Sequence, residues 1–150
     1  MAPVSSVYGV NSTLPDGNHI LMWDFDDTYL DAVAINLSRV QSIYNLPNIY
    51  ILETKKDKNF IAYCFKSCTW HKAIEIIAFT RNVDANFFKF GVYREKFTLR
   101  VTPKSGRTPK LVFTLKSNVK ETANIKMLQS WTQYQTLTDA WKSIKRELII

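Results

Sequence analysis

The segment 19–26 constrains the fold more than any other part of the chain. Its side chains alternate as an extended strand requires: one face carries Asp24 and Asp26 with two apolar residues, and the other carries Leu21, Trp23 and Phe25. Apolar residues then recur at helical spacing from Leu30 to Tyr44, and this helix must end before Pro47. The pattern predicts a buried strand that ends in two carboxylates and leads into an amphipathic helix.

The remaining patterns predict an α+β fold with the element order βαββαβββαα. Two apolar runs, 48–52 and 60–65, flank a charged loop and predict a hairpin. A second helix is expected after the N-cap Thr69, and strands are expected at 87–93, 97–101 and 111–115. Helices are predicted within 121–134 and 137–148, with the core candidates Trp131, Leu137, Trp141, Ile144 and Leu148.

Length and composition predict one domain over residues 18–150, preceded by a flexible leader at 1–17. The leader has neither the basic start nor the apolar run of a secretory signal, and no run of about 18 apolar residues could span a bilayer. Cys64 and Cys68 lie four residues apart and are expected to be packed thiols. These features predict an intracellular, cytoplasmic protein with no membrane partner.

Charge is distributed unevenly along the chain. The net charge is +7, but residues 1–86 carry 7 Lys and Arg against 9 Asp and Glu, whereas residues 87–150 carry 13 against 4. A strongly basic half suits a polyanionic partner, because neutralising phosphates releases counterions. We therefore expect nucleic acid or nucleotides as partners. No glycine-rich phosphate loop is present in the sequence, which argues against a P-loop ATPase or a Rossmann dinucleotide site.

Asp24 and Asp26 are the sharpest chemical feature of the sequence. Alternate residues at a strand end direct both carboxylates to one point, as a divalent cation requires, although a polar strand end can equally cap the following helix. A third acid, Asp84, follows Val83 ahead of the predicted aromatic strand. Mg²⁺ or Mn²⁺ held by these acids could activate an attacking hydroxyl and stabilise a leaving pyrophosphate.

This order of motifs resembles the catalytic core of the archaeo-eukaryotic primase-polymerase superfamily over about residues 19–107. That family places an Asp-x-Asp motif at the end of its first strand, a Ser-x-His type motif on the middle hairpin and a later apolar-Asp motif, here Val83-Asp84. The resemblance implies an RRM-like, primase-type mixed sheet with helices packed on it and a C-terminal helical segment. It also implies a DNA replication protein that performs metal-dependent nucleotidyl transfer on a single-stranded DNA template.

The resemblance assigns roles to individual residues. Asp24, Asp26 and Asp84 would be the catalytic, metal-binding set. Ile61 stands where the family's pattern has a histidine, and an isoleucine cannot hydrogen-bond a phosphate as an imidazole can. The stretch 94–100 resembles the arginine-bearing strand of the family. Contacts to nucleotide and nucleic-acid phosphates are expected from Thr54, Lys55, Lys56, Lys58, Arg94, Lys96, Arg100, Lys104 and Arg107.

Two other functions are compatible with the same residues. A non-catalytic single-stranded nucleic-acid-binding module would stack bases on the aromatic residues within 87–97 and would not need the three acids. A haloacid dehalogenase-like phosphatase would use Asp24, in the run Asp-Phe-Asp-Asp-Thr, as its nucleophile and Thr80 as its second motif. That family needs a doubly wound sheet and a late acidic pair, and the sequence predicts neither.

Overall fold

The computed structural model describes residues 4–103 and 106–137, which adopt an α+β fold with two antiparallel sheets. The elements are β1 (Val4–Asn11), β2 (His19–Phe25), α1 (Leu30–Tyr44), β3 (Ile49–Lys55), β4 (Asn59–Cys68), α2 (Trp70–Phe79), α3 (Ala85–Arg94), β5 (Thr98–Arg100), β6 (Lys110–Leu115), a short 3₁₀ helix (Ile125–Met127) and β7 (Trp131–Leu137). One sheet has the strand order β2-β4-β3-β6 and the other β5-β1-β7. The described strands pair only antiparallel, so they do not form the mixed sheet that was expected.

The four-stranded sheet buries one face against helices, and its other face carries Asp24 beside apolar side chains such as Leu52 and Ile61. Trp23 is fully buried, and its indole Nε1 donates to the Thr80 hydroxyl at the end of α2, at 2.9 Å. Asp24 therefore projects from the opposite face, where it pairs in register with Ile61, which in turn pairs with Leu52. The strand-then-helix prediction for 19–44, including the alternation along β2, is confirmed.

The predicted hairpin and the second helix are also present. Strands β3 and β4 pair through the turn at 56–58, and the Thr69 hydroxyl caps α2 by accepting from the Lys72 amide. Cys64 and Cys68 are buried and unbridged, as expected for packed thiols, and burial raises the pKa of both. None of the described helices is long and apolar enough to cross a membrane.

The segment that was expected to be a flexible leader instead contains the central strand of the second sheet. Strand β1 pairs with β5 on one side and with β7 on the other. Directly after β1, the Ser12 amide donates to the Phe97 carbonyl and the Ser12 carbonyl accepts from the Ile20 amide. The Ser12 hydroxyl lies 2.8 Å from Nδ1 of buried His19. The partners of β1 come from about 90 and 125 residues away, so no local pattern reveals them.

The predicted strand at 87–93 is wrong, because these residues belong to α3. Asp84 caps this helix by accepting from the Phe87 amide, and Phe87, Phe88 and Gly91 form a helical stripe against the buried Phe97 ring. The high strand propensity of the aromatic run misled the prediction, and tertiary packing overrode it. Phe87 and Phe88 consequently pack inward, which leaves Phe90 and Tyr93 as the exposed aromatic residues of this helix.

The predicted helix at 121–134 is also wrong. The amides of Thr122 and Ala123 donate to the Phe65 carbonyl, which holds this segment along β4, and β7 follows as a strand. The signal that could have predicted this strand is the run from 132 to 136, where β-branched and aromatic residues alternate with glutamines. Trp131, expected in the core, is 53% exposed. The predicted helix at 137–148 lies outside the described residues from position 138 onward, and with it Trp141, Ile144 and Leu148.

Candidate metal and phosphate site

Three carboxylates converge where β2 ends. Asp24 is the second-to-last residue of β2, Asp26 directly follows the strand, and Asp84 is the N-cap of α3. One carboxylate oxygen from each lies within 4.8 Å of the others. The Asp84 amide donates to the Asp24 carbonyl at 2.7 Å, and this bond ties α3 to the end of β2. The three acids that the sequence singled out are therefore close together, although Asp84 precedes a helix and not the strand that was expected.

The electrostatics of the triad favour a cation. The pKa of Asp24 is raised to about 8, mainly by burial and also by the nearby charges of Asp26 and Asp84 and a hydrogen bond with Asp26, while Arg100 acts in the opposite direction. Carboxylate oxygens in such a group are the ligands that Mg²⁺ and Mn²⁺ prefer, and a divalent cation would neutralise their mutual repulsion. Asp84 also caps α3, because its Oδ2 accepts from the Phe87 amide at 2.9 Å.

A polar pocket of about 290 Å³ extends from the triad toward the β3–β4 hairpin. It brings together six of the predicted site residues, and four further residues complete its lining. The predicted members are Asp24, Asp26, Thr54, Lys55, Arg100 and Arg107, and the others are Asn59, Ile61, Thr98 and Leu99. Two carboxylates thus face three basic side chains across one small cavity, an arrangement that suits a cation-bound phosphate.

A basic groove of about 650 Å³ lies on the α3 side of the triad and shares Asp24 with the polar pocket. Arg94 and Lys96 line it, together with Asp84 and the half-buried Phe87. The Arg94 guanidinium lies 5.6 Å from the centre of the Phe90 ring, in cation–π geometry. The groove therefore offers two positive charges and an exposed aromatic ring beside the acids.

Two of the remaining predicted phosphate contacts, Lys56 and Lys58, line neither the polar pocket nor the basic groove. Lys56 is exposed in the hairpin turn, and Lys58 forms an ion pair with Asp27, at 3.3 Å. The Asp27 amide also donates to Asn59 Oδ1 at 3.0 Å, so this end of the hairpin is fastened to the chain just after β2. Lys58 therefore pairs with an acid at an exposed position and does not line the polar pocket. Lys104 lies outside the described residues.

The polar pocket contains residues that the sequence did not single out. Thr98 precedes Arg100 by two positions on β5, so the strand directs both side chains to the same face; this spacing is the signal that could have found it. Ile61, opposite Asp24 in the ladder, is only 5% exposed and lines the pocket. The position expected to carry a histidine is therefore inside the site, and its side chain is apolar.

The phosphatase alternative is contradicted by the geometry. The Thr80 hydroxyl is buried, accepts from the Trp23 indole and donates to the Ile76 carbonyl at 2.9 Å, so it is not presented to a phosphate. The antiparallel pairing of the described strands also excludes the doubly wound parallel sheet that this chemistry requires.

Fold and site together define an α+β protein in which a carboxylate triad lies beside two cavities that also contain basic side chains. Comparison with protein-family models, curated proteins and solved structures found no match for the chain.

Proposed function

We propose that the protein is a metal-dependent nucleotidyltransferase of the primase-polymerase type that acts on nucleic acid. The observation that carries this proposal is the convergence of Asp24, Asp26 and Asp84 within 4.8 Å, in contact with a polar pocket that also contains Lys55, Arg100 and Arg107. Acids for a cation and bases for phosphates are both needed when a nucleoside triphosphate is attacked by a hydroxyl.

In this proposal the acidic side chains bind the metal and the basic side chains bind the phosphates. Asp24, Asp26 and Asp84 would hold Mg²⁺ or Mn²⁺, which when bound lowers the pKa of the attacking hydroxyl and stabilises the leaving pyrophosphate. Lys55, Arg100 and Arg107 orient the triphosphate and balance the charge that accumulates on it. Charge neutralisation of this kind is effective here because Asp24 is half-buried, so less water competes for it.

The basic groove is the proposed path of the DNA strand. Arg94 and Lys96 would contact backbone phosphates, and the exposed Phe90 ring offers a surface on which an unpaired base could stack. The groove and the polar pocket meet at Asp24, so strand and nucleotide would approach the triad from opposite sides. We also propose that the four-stranded sheet is the RRM-like sheet of a primase-type core, since α1 and α2 cover one face and the acids project from the other.

The test is template-directed primer extension and de novo priming with Mg²⁺ or Mn²⁺, comparing the wild type with Asp24→Asn/Asp26→Asn. We expect metal-dependent product from the wild type and none from the variant. Asp31→Asn/Asp57→Asn is the matched control, because it removes the same charge from two exposed positions outside the site and should keep full activity. Product from the triad variant equal to that of the control would reject the proposal.

The apolar side chain of Ile61 in the polar pocket favours a second candidate, a non-catalytic single-stranded DNA-binding module of a replication protein. Such a module would give no extension product with either metal. Its affinity for single-stranded DNA would fall steeply with salt and would be unchanged or higher in Asp24→Asn/Asp26→Asn/Asp84→Asn, because removing negative charge favours phosphate binding. Fluorescence anisotropy with a labelled oligonucleotide at several salt concentrations measures both effects.

A further inference from the structure

A third cavity, an apolar cleft of about 420 Å³, lies between the helix-free face of the four-stranded sheet, parts of β1 and β5, and the segments that precede and begin β7. Its volume falls within the range of small-molecule sites, which are mostly apolar with a few polar groups. The residues that line it are Val10, Tyr50, Leu52, Tyr63, Phe65, Arg100, Val101, Pro109, Leu111, Ile125, Leu128 and Trp131. Its only charged lining residue among those described is Arg100, which also lines the polar pocket.

The cleft continues the polar pocket along the strands. On β3, Thr54 lines the polar pocket and Leu52 lines the cleft. On β4, Ile61 lines the polar pocket and Tyr63 lines the cleft. Alternate residues on a strand are about 6.6 Å apart and share one face. The two cavities are therefore offset along the sheet by about the span of a sugar, and Arg100 lies at the boundary between them.

Aromatic rings form one wall of the cleft. The Tyr63 and Phe65 rings are nearly parallel, with an interplanar angle of 7° and centroids 6.4 Å apart, and the Tyr50 ring lies 5.7 Å from that of Phe65. The Tyr50 hydroxyl donates to Glu121 at 2.9 Å, which helps to hold this ring in place. A flat apolar group could stack on such a wall without demanding a specific hydrogen-bond pattern.

Several large apolar residues at the cleft are also exposed to solvent. Leu111, Ile125 and Trp131 are 54%, 72% and 53% exposed, although they lie on three different elements and meet at one cavity. Clustered exposed apolar surface of this kind marks a binding site more often than scattered apolar residues do. A ligand that is apolar where it contacts these residues and anionic near the Arg100 guanidinium would therefore fit the cleft.

We propose that the apolar cleft holds the base of a nucleoside triphosphate whose phosphates occupy the polar pocket. This assignment rests on the proposed function, because that function supplies the triphosphate. A nucleotide has the required form, with a flat base at one end, a sugar in the middle and anionic phosphates at the other end. The scarcity of polar side chains around the cleft predicts that different bases are accepted with similar affinity.

Calorimetric titration of the full chain tests the assignment, with ATP, dATP and inorganic tripolyphosphate as probes, each in the presence of Mg²⁺. We expect the wild type to bind either nucleotide about tenfold or more tightly than tripolyphosphate, because stacking adds to the phosphate contacts. Leu111→Ser and Trp131→Ala should each weaken nucleotide binding by about fivefold or more and leave tripolyphosphate binding unchanged. Both residues are largely exposed, so these variants should fold.

Ile35→Ser is the matched control. Ile35 is 55% exposed on α1, on the helix-covered side of the sheet, so its replacement removes a similar apolar surface without touching the cleft. Equal affinity of the wild type for nucleotides and tripolyphosphate would overturn the assignment. It would also be overturned if the cleft variants weaken binding of a single-stranded oligonucleotide but not of ATP, because the cleft would then hold the strand.

The outcome is separable from that of the extension assay. If nucleotides bind more tightly than tripolyphosphate and the cleft variants lose this difference, the base assignment stands even where no extension product forms. If product forms while the difference is absent, the polymerase function stands and the base assignment fails.

Discussion

Replacing Asp24 by Asn should stabilise the metal-free protein while abolishing its response to metal. Burial and the neighbouring Asp26 and Asp84 raise the pKa of Asp24 from its ordinary 3.8 to about 8. The folded state therefore holds a proton that the unfolded chain releases, so the contribution of Asp24 to stability is greatest below about pH 4 and declines as pH rises toward about 8. A neutral amide of nearly the same shape removes that decline.

The magnitude follows from the same pKa difference. Taken at full value, the change from 3.8 to about 8 corresponds to about 5–6 kcal/mol. Asp24 keeps contact with solvent and Asp26 is exposed, so screening reduces this amount, and we expect Asp24→Asn to gain about 1–3 kcal/mol above pH 8. The gain should shrink as pH falls, because the wild-type carboxyl is then protonated too.

Urea unfolding above pH 8, first with EDTA and then with millimolar Mn²⁺, measures both halves of the prediction. The variant should have the higher midpoint in EDTA, whereas Mn²⁺ should stabilise the wild type and leave the variant nearly unchanged. Asp31→Asn, at an exposed site on α1, controls for the loss of one negative charge and should change stability by less than about 0.5 kcal/mol. An Asp24→Asn protein that is less stable than the wild type in EDTA would refute the reasoning.

Three further predictions concern the frame around the site. Gly91→Ala should lower the free energy of unfolding by about 1–3 kcal/mol in urea titrations, because a Cβ there would collide with the buried Phe97 ring; an unchanged midpoint would contradict this packing. Burial lowers the pKa of His19, so as pH falls the unfolded chain takes up a proton before the folded protein does, and this group should make stability decline below about pH 6.5. His19→Asn should therefore lose less of its free energy of unfolding as pH falls. Equal slopes of that free energy against pH in variant and wild type would contradict the effect. Ile61→His should tighten nucleotide binding about threefold or more in calorimetric titration, because an imidazole in the polar pocket can donate to a phosphate; no gain would show that position 61 does not face the ligand.

Much of the four-stranded sheet and its helices could be predicted from local sequence. The alternation along β2, the helical stripe of α1 and the Thr69 cap of α2 each arise from neighbouring residues, so they are visible within a short window. Asp24 lies on β2 and Asp26 directly follows it, and their alternate spacing directs them to one side. Asp84 was found only through the order of motifs, since no local rule connects it to residues about 60 positions earlier.

What the tertiary structure decided was where distant segments meet. It made 85–94 a helix, because Gly91 allows close approach to Phe97 and Asp84 caps the first turn, against the strand preference of the aromatic run. It placed β1 between β5 and β7, and it brought Arg100 between the polar pocket and the apolar cleft. Residue type and spacing determine which side chains share a face of one element, but the packing of nonadjacent elements determines which faces meet, because that packing depends on contacts spread over the whole chain.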